Sequence, residues 1–493
     1  RARPRRIDRG SAGRVSLPAP RIPESGDRVA RDEFALAVDR AAGARPIGGN
    51  RLEHHPDSPL ALEAMLDLIS AARAWVHLEN YIIRDDATGR RFAAALAERA
   101  RAGVRVRVLY DAFGSLRTSR RYWRQLAQTG AEVRAFHPIL SSGPFDAVSR
   151  DHRKLLVADG TRAMLGGLCI GDEWAGNPQR RRLPWRDTMV LVGGPAAAAL
   201  DAAFGRIWRA AGDPLPRDEF AADPPPEPCG DCTIRVVEGQ PRRARIYRAV
   251  QLLAASAAER LWITDAYLIA PAPLYASLLD AAKSGVDVRL LVPGTSDLPV
   301  LRNFTRIGYR ELLRAGVRIF EYRGPMIHAK TMLVDRRWAR VGSSNLNVSS
   351  LLTNYELDML AEGGGLCDAL AEQFRRDLGS SREIALQARR LRLPPRLVGA
   401  SATALSHAGD AEHKRSGYEL GAVAVVALRR VAGGLRRAIA ATGALTFAGI
   451  GSLLLLFPKV TSVALATGAF GLALAFGLYA FDRRRSRETD DGG

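Results

Sequence analysis

Lysine is almost missing from a strongly basic sequence. The 493 residues include five lysines against 67 arginines, and the formal net charge is +20. Cysteine is as scarce, and four cysteines are too few for a disulfide framework in a chain of this length. Cys229 and Cys232 have redox or half-zinc spacing, but no second Cys or His pair lies near them in the sequence, so no metal or other cofactor is expected. Aromatic residues are 7% of the chain, and no basic stretch is interleaved with stacking side chains. That pattern argues against single-stranded nucleic acid as a partner. The Arg-rich N-terminus lacks the apolar core of a signal peptide and begins without Met, as a processed or truncated chain would. Positive charge in this excess calls for an anionic partner, either nucleic acid or a membrane surface.

Two long runs without charge turn that choice toward the membrane. Ala438–Phe457 holds twenty residues and Val460–Phe481 twenty-two, separated only by Pro458 and Lys459. Each is about the length that crosses roughly 30 Å of hydrocarbon, so the pair predicts a transmembrane helical hairpin. Arg429, Arg430, Arg436 and Arg437 precede it, and Arg483, Arg484, Arg485 and Arg487 follow it. Positive residues favour the cytoplasmic side, so both ends and the large domain before them are expected there. The apolar, Arg-paired stretch from Gly421 to Ala438 predicts an interfacial helix on anionic headgroups.

The rest of the chain repeats itself. Ala64–Ile83 is similar to Ala249–Ile269, and each reads as a helix followed by a β-rich run that ends in Tyr81 or Tyr267. Then a helix closes at Gly103 or Gly285 before an alternating strand, and the device recurs at Gly130 and Gly316. Alternating helices and strands predict an α/β fold of two similar halves, each a β-sheet flanked by helices. The expected organisation is a basic, partly disordered segment over 1–43, a first half over 44–211 and a Pro-rich linker over 212–231. A second half over 232–381, a basic connection over 382–437, the hairpin over 438–481 and a polar tail over 482–493 complete it.

Two of the five lysines occupy matching places. His152-x-Lys154, Asp159 and Gly166 recur at identical spacing as His328-x-Lys330, Asp335 and Gly342. On a strand, residues two apart share a face, so each His and Lys point the same way. An imidazole beside a compact ammonium suits attack on a phosphodiester, the Lys neutralising charge on the phosphoryl oxygens. Two copies supply two histidines, one to attack and one to move protons to and from the leaving and incoming oxygens. The remaining histidines, His54, His55 and His77 among them, read as packed or surface residues.

This doubled pattern resembles the HKD motif of the phospholipase D superfamily. The surroundings, with "HLENYI", "GGLCIGDEW", "PWRDT" and "VGSSNLN…NYELD", resemble bacterial cardiolipin synthases over roughly 47–362. The resemblance implies two phospholipase D-like halves related by a pseudo-twofold axis. It implies a phosphatidyltransferase that converts two phosphatidylglycerols to cardiolipin and glycerol through a phosphohistidine; the alternative is a phosphodiesterase of the same superfamily that hydrolyses phospholipids. His152 is then the nucleophile and His328 the acid/base, an order the sequence leaves open. Lys154, Lys330, Asn345 and Ser343 bind the phosphate, Asp187 and Glu356 orient the histidines, and Asp159 and Asp335 are positional members of the motif. The partners implied are a phosphatidylglycerol-like lipid and an anionic membrane, and the place is the bacterial inner membrane. Cys169 stands where many relatives have Asn, and a thiol is a poor donor to phosphate.

Overall fold

The computed structural model describes residues 33–138, 149–219 and 224–386. The expected disorder before residue 33, the interfacial helix, the transmembrane hairpin and the tail lie outside these residues. Among the described residues no helix is long and apolar enough to cross a membrane.

The strands of the first half are β1 (Ile47–His55), β2 (Trp75–Asn80), β3 (Arg105–Asp111), β4 (Glu132–Phe136), β5 (Lys154–Ala158), β6 (Arg162–Gly166) and β7 (Met189–Gly193). Those of the second are β8 (Cys232–Gly239), β9 (Arg260–Thr264), β10 (Asp287–Pro293), β11 (Arg318–Tyr322), β12 (Thr331–Val334), β13 (Trp338–Gly342), β14 (Glu356–Glu362) and β15 (Ser381–Ile384). The helices are α1 (Glu33–Ala42), α2 (Ser58–Ala71), α3 (Ala87–Arg101), α4 (Arg120–Ala127), α5 (Asp172–Ala175), α6 (Pro195–Ala210), α7 (Arg245–Ala255), α8 (Ala272–Lys283), α9 (Pro299–Ala315) and α10 (Gly365–Gly379).

All these strands form a single sheet, where the sequence suggests two. Its order is β4-β3-β2-β5-β6-β7-β1-β8-β14-β13-β12-β9-β10-β11-β15. From the β1–β8 junction outward the two directions read alike, with antiparallel strands inside and three parallel strands beyond them, except that the second direction ends on one more, antiparallel strand, β15. The junction is thin: only Ile47 with Ile234 and Asn50 with Cys232 pair across it. That pairing hides the exposed edge each half would otherwise carry. β15 pairs with β11 and carries the sheet to Ile384, into the segment expected to be a connection.

Strands covered on both faces should be apolar throughout, and β5 (Lys-Leu-Leu-Val-Ala) and β12 (Thr-Met-Leu-Val) are buried at every position. One continuous core, with α6 and α10 over the sheet, joins Leu155, Val157, Phe204 and Trp208 of the first half to Ile327, Trp262 and Phe374 of the second. Separate cores lie under α2 and α3 and under α7, α8 and α9. Gly103 and Gly285 adopt φ of 86° and 89° just past the ends of α3 and α8, the left-handed turn that glycine tolerates best.

Two segments do more than connect. Residues 33–42, near the end of the N-terminal segment, form α1, which packs Ala35, Val38 and Ala42 into the second-half core. Glu219, in the Pro-rich linker, is buried and accepts two hydrogen bonds from Arg107 at 2.6 and 2.7 Å.

Candidate active site

The two motifs meet where the halves touch. Lys154 opens β5 with His152 two residues ahead of it, and Lys330 immediately precedes β12 with His328 two residues before that, so all four lie at the same end of the sheet. Backbone pairing locks the halves there: His152 N–H donates to the Tyr355 carbonyl at 2.9 Å, and His328 N–H to the Arg186 carbonyl at 2.7 Å. Each histidine is therefore held by the chain of the opposite half.

The carboxylates are exchanged in the same way. His152 Nδ1 lies 3.0 Å from both carboxylate oxygens of Glu356, which begins β14. His328 Nδ1 lies 2.7 Å from Asp187, just ahead of β7. Both acids are fully buried, and each has its own support. Ser343 donates to Glu356 at 2.5 Å, while Trp174 Nε1 donates to Asp187 at 2.9 Å. Glycine makes room for these acids: a Cβ on Gly167 would sit 2.3 Å from an Asp187 oxygen. With Nδ1–H of each imidazole given to a carboxylate, Nε2 is the nitrogen left for a substrate.

The ammonium groups are buried beside the rings. Lys154 and Lys330 each donate to the carbonyl of their own histidine, and Lys330 Nζ is 2.9 Å from His328 Nδ1. Their charges reach across the site. Burial, then Lys330, pushes His328 down to about 4, with Lys154 adding to the effect. Burial lowers His152 as well, and the Lys154 and Lys330 charges act in the same direction against Glu356. Both rings are thus neutral near pH 7. Burial, with Lys154 adding to it, brings Lys330 down to about 8, so it stays largely cationic. Although burial favours the protonated acid, the His328 and Lys330 contacts outweigh it and hold Asp187 at about 2.

Asn345 is buried, and its amide oxygen has no hydrogen-bond partner among the described residues. Cys169, at the matching position after the first motif, is also buried, which raises its thiol pKa and keeps it protonated. Asp159 and Asp335 sit at the far ends of β5 and β12, away from the rings. At φ of 54° and 53° they turn the chain and accept backbone N–H groups from Arg73, Ala74 and Trp75, and from Ala258, Glu259 and Arg260.

An aromatic and acidic lining escaped the sequence reading. The Tyr81 ring stands 4.8 Å from that of His152, with Lys154 Nζ 5.1 Å from its centre. Trp174, Trp185 and Tyr267 surround His328 at 5.4, 5.9 and 6.0 Å. Asp265 accepts the N–H groups of Tyr267 and Leu346, and burial raises it to about 6. The paired tyrosines closing the two β-rich runs were the available signal, visible as a repeat but not as part of a site.

Comparison with known proteins agrees with this geometry. The family model described as "Cardiolipin synthase, PLD-like domain" matches residues 65–208 and 251–378, one match per half. Cardiolipin synthase A of Pseudomonas aeruginosa (strain LESB58) is 34% identical over 360 residues, 72% of each chain. Cardiolipin synthase A of Pseudomonas entomophila is 33% identical over 367 residues, 73% of this chain and 76% of its own. Among solved structures, phosphatidylserine synthase of Haemophilus influenzae Rd KW20 has the same fold at 14% identity, with a TM-score of 0.57 over 72% of this chain and 92% of its own. The chain belongs to the cardiolipin synthase family of proteins with phospholipase D-like domains.

Proposed function

We propose that this enzyme, a phosphatidyltransferase of the phospholipase D superfamily, joins two phosphatidylglycerol molecules into cardiolipin and glycerol through a phosphohistidine. The observation that carries the reading is the crossed pairing of two neutral imidazoles with Glu356 and Asp187, which leaves one Nε2 on each side of a cleft flanked by Lys154 and Lys330.

The lipid phosphodiester binds between the two ammonium groups, with the Asn345 amide beside it. His152 Nε2 attacks phosphorus; a P–N bond forms and the P–O bond to the departing glycerol breaks. His328 donates a proton to the glycerol oxygen. It is neutral in the free enzyme, but the bound anion cancels the lysine charge that depresses it, so it takes up that proton as substrate binds. In the second step the hydroxyl of another phosphatidylglycerol attacks phosphorus and gives its proton to His328. The P–N bond breaks and His152 returns to its first state. Ser343 and the two acids hold the ring tautomers throughout, and Asp159 and Asp335 fix the strand ends.

The halves are related by a pseudo-twofold axis, the anionic inner membrane supplies donor and acceptor, and the stretch over 438–481 anchors the chain there. The experiment is turnover of phosphatidylglycerol carrying a labelled glycerol headgroup by the purified chain in vesicles. Cardiolipin with one equivalent of free glycerol is the expected outcome. Phosphatidic acid as the sole lipid product would assign hydrolysis instead, and no product of either kind would remove the proposal.

A further inference from the structure

Large apolar side chains exposed on the described surface are not scattered. There are nine, and eight of them lie at the end of the sheet where the histidines open. The loop after β3 exposes Phe113 and Leu116, and between them Ser115 donates to the carbonyl of Tyr81, the ring against His152. Leu183 is exposed two residues from Trp185, whose ring flanks His328. Leu298, ahead of α9, and Phe304 and Ile307, farther along its first half and middle, are exposed; Leu298 follows Asp297, which accepts the Tyr267 hydroxyl. Leu60 and Val348 lie on the same side, the first on the turn of α2 whose Ser58 donates to Trp185, the second three residues past Asn345.

Cations stand among them. Arg117, Arg120 and Arg121 follow Phe113, and Arg180, Arg181 and Arg182 precede Leu183, all exposed. The opposite end of the strands, around the Asp159 and Asp335 turns, is also charged: Arg73, Arg162, Glu259, Lys283 and Arg336 are exposed there. One exposed large apolar side chain, Leu386 just past β15, lies at that end among the described residues, against eight at the other. Charge alone does not distinguish the two ends; the apolar residues do. Apolar side chains in open solvent have no hydrophobic gain unless something covers them. Apolar residues set among arginines fit the boundary of an anionic bilayer, with acyl chains within reach of the first and phosphates within reach of the second.

We propose that this rim is the surface on which the catalytic unit rests on an anionic phospholipid membrane, with Phe113, Leu116, Leu183 and Phe304 inserted below the headgroups. The inference rests on the lipid-transfer reading above and adds the orientation: the cleft opens onto the bilayer, so a phosphodiester reaches the histidines without its chains leaving the lipid.

Two measurements on the full chain decide it. A spin label is placed by Leu116→Cys, or by Thr161→Cys at the opposite end, with the exposed Cys229 replaced by Ser. In vesicles of phosphatidylglycerol and phosphatidylcholine, the label at 116 should be relaxed more by oxygen than by an aqueous nickel chelate, and the label at 161 the reverse. Aqueous behaviour at both positions would overturn the proposal, whatever reaction the enzyme catalyses. Separately, the combined variant Phe113→Ser, Leu116→Ser, Leu183→Ser and Phe304→Ser should lose at least about tenfold in turnover on those vesicles. On short-chain phosphatidylglycerol dissolved as monomers it should stay within about twofold of the parent. Unchanged vesicle turnover, or an equal loss on both substrates, counts against the rim. A wild-type chain that makes no cardiolipin while its 116 label enters lipid would break the function reading and leave the rim standing.

Discussion

The two halves present nearly the same face to the site and quite different faces to the core behind it. In motif register, Asp151 and Arg153 of the first half correspond to Ile327 and Ala329 of the second. On the neighbouring strand, His77 and Glu79 correspond to Trp262 and Thr264. The first half thus buries a charged network. Arg153 lies 3.4 Å from Glu79 and 3.6 Å from Glu238, and His77 is 2.6 Å from Asp201. Burial and repulsion from Glu79 raise Asp151 well above the ordinary carboxylate range, and burial raises Glu79 as well. The second half fills the same space with apolar contacts, including Trp262 stacked on Phe374 at 5.1 Å. The lesson lies in the period of a strand. Because successive side chains point to opposite faces, chemistry constrains one face while the other is free to solve its packing in either way.

The largest expected effect tests the likeness of the site faces. His152→Ala and His328→Ala should each lower cardiolipin formation by at least about ten-thousandfold, since each removes a group that handles the reacting atoms. They should differ in what accumulates. With His152 as nucleophile, the His328→Ala enzyme can hold phosphorus-labelled lipid on protein, and the His152→Ala enzyme cannot. Label on the second variant alone would reverse the assignment.

The next effect tests the unlikeness behind the site. Arg153→Met leaves Glu79 buried without its cation, although Glu238 keeps Arg206 at 2.9 Å, and should cost about 3–5 kcal/mol of stability in denaturant unfolding. Ala329→Met, at the matching place, only overpacks an apolar core and should cost about 1–3 kcal/mol. Equal losses would mean that the charged network adds nothing to ordinary packing.

Crossing of the carboxylates supplies a third test. Glu356→Gln and Asp187→Asn keep shape but replace the charged acceptor that holds each imidazole tautomer with an amide that can turn a donor toward Nδ1, so each should lower turnover by about a hundredfold. Glu356→Gln should slow the phosphorylation of His152 although the two residues belong to different halves. A loss confined to dephosphorylation would contradict the pairing.

Smallest is a titration. His328 in the free protein should titrate near 4 by NMR, and a bound glycerophosphodiester should raise it. A group whose pKa rises on binding strengthens binding as pH falls through the bound value, and the gain levels off below the free value. An affinity that does not change with acidity would remove the proposed proton uptake.

Much of this was readable before any coordinates. The duplicated His-x-Lys spacing, the helix stops at Gly103, Gly285 and Gly316, and the α/β alternation are short-range patterns, and short-range patterns survive in a linear string. Even the turn aspartates were legible as positional, because they close a strand and not a cleft. What escaped depended on contacts between distant segments. Glu219 reads as one more acid in a Pro-rich linker, yet it is buried against Arg107 from β3. Residues 33–42 read as the tail of a disordered segment, since a helix of ten residues is stable only when a partner surface covers it.

The sequence by itself determined the doubled His-x-Lys motif and its place at the start of two matching strands, because the motif is local. Tertiary structure alone decided that Glu356 serves His152 and Asp187 serves His328, partners 204 and 141 residues apart. It alone merged the two sheets through β1 and β8 and gathered eight of the nine exposed large apolar residues at one end. Such pairings follow from how packed elements close on one another, and no period along the chain encodes them.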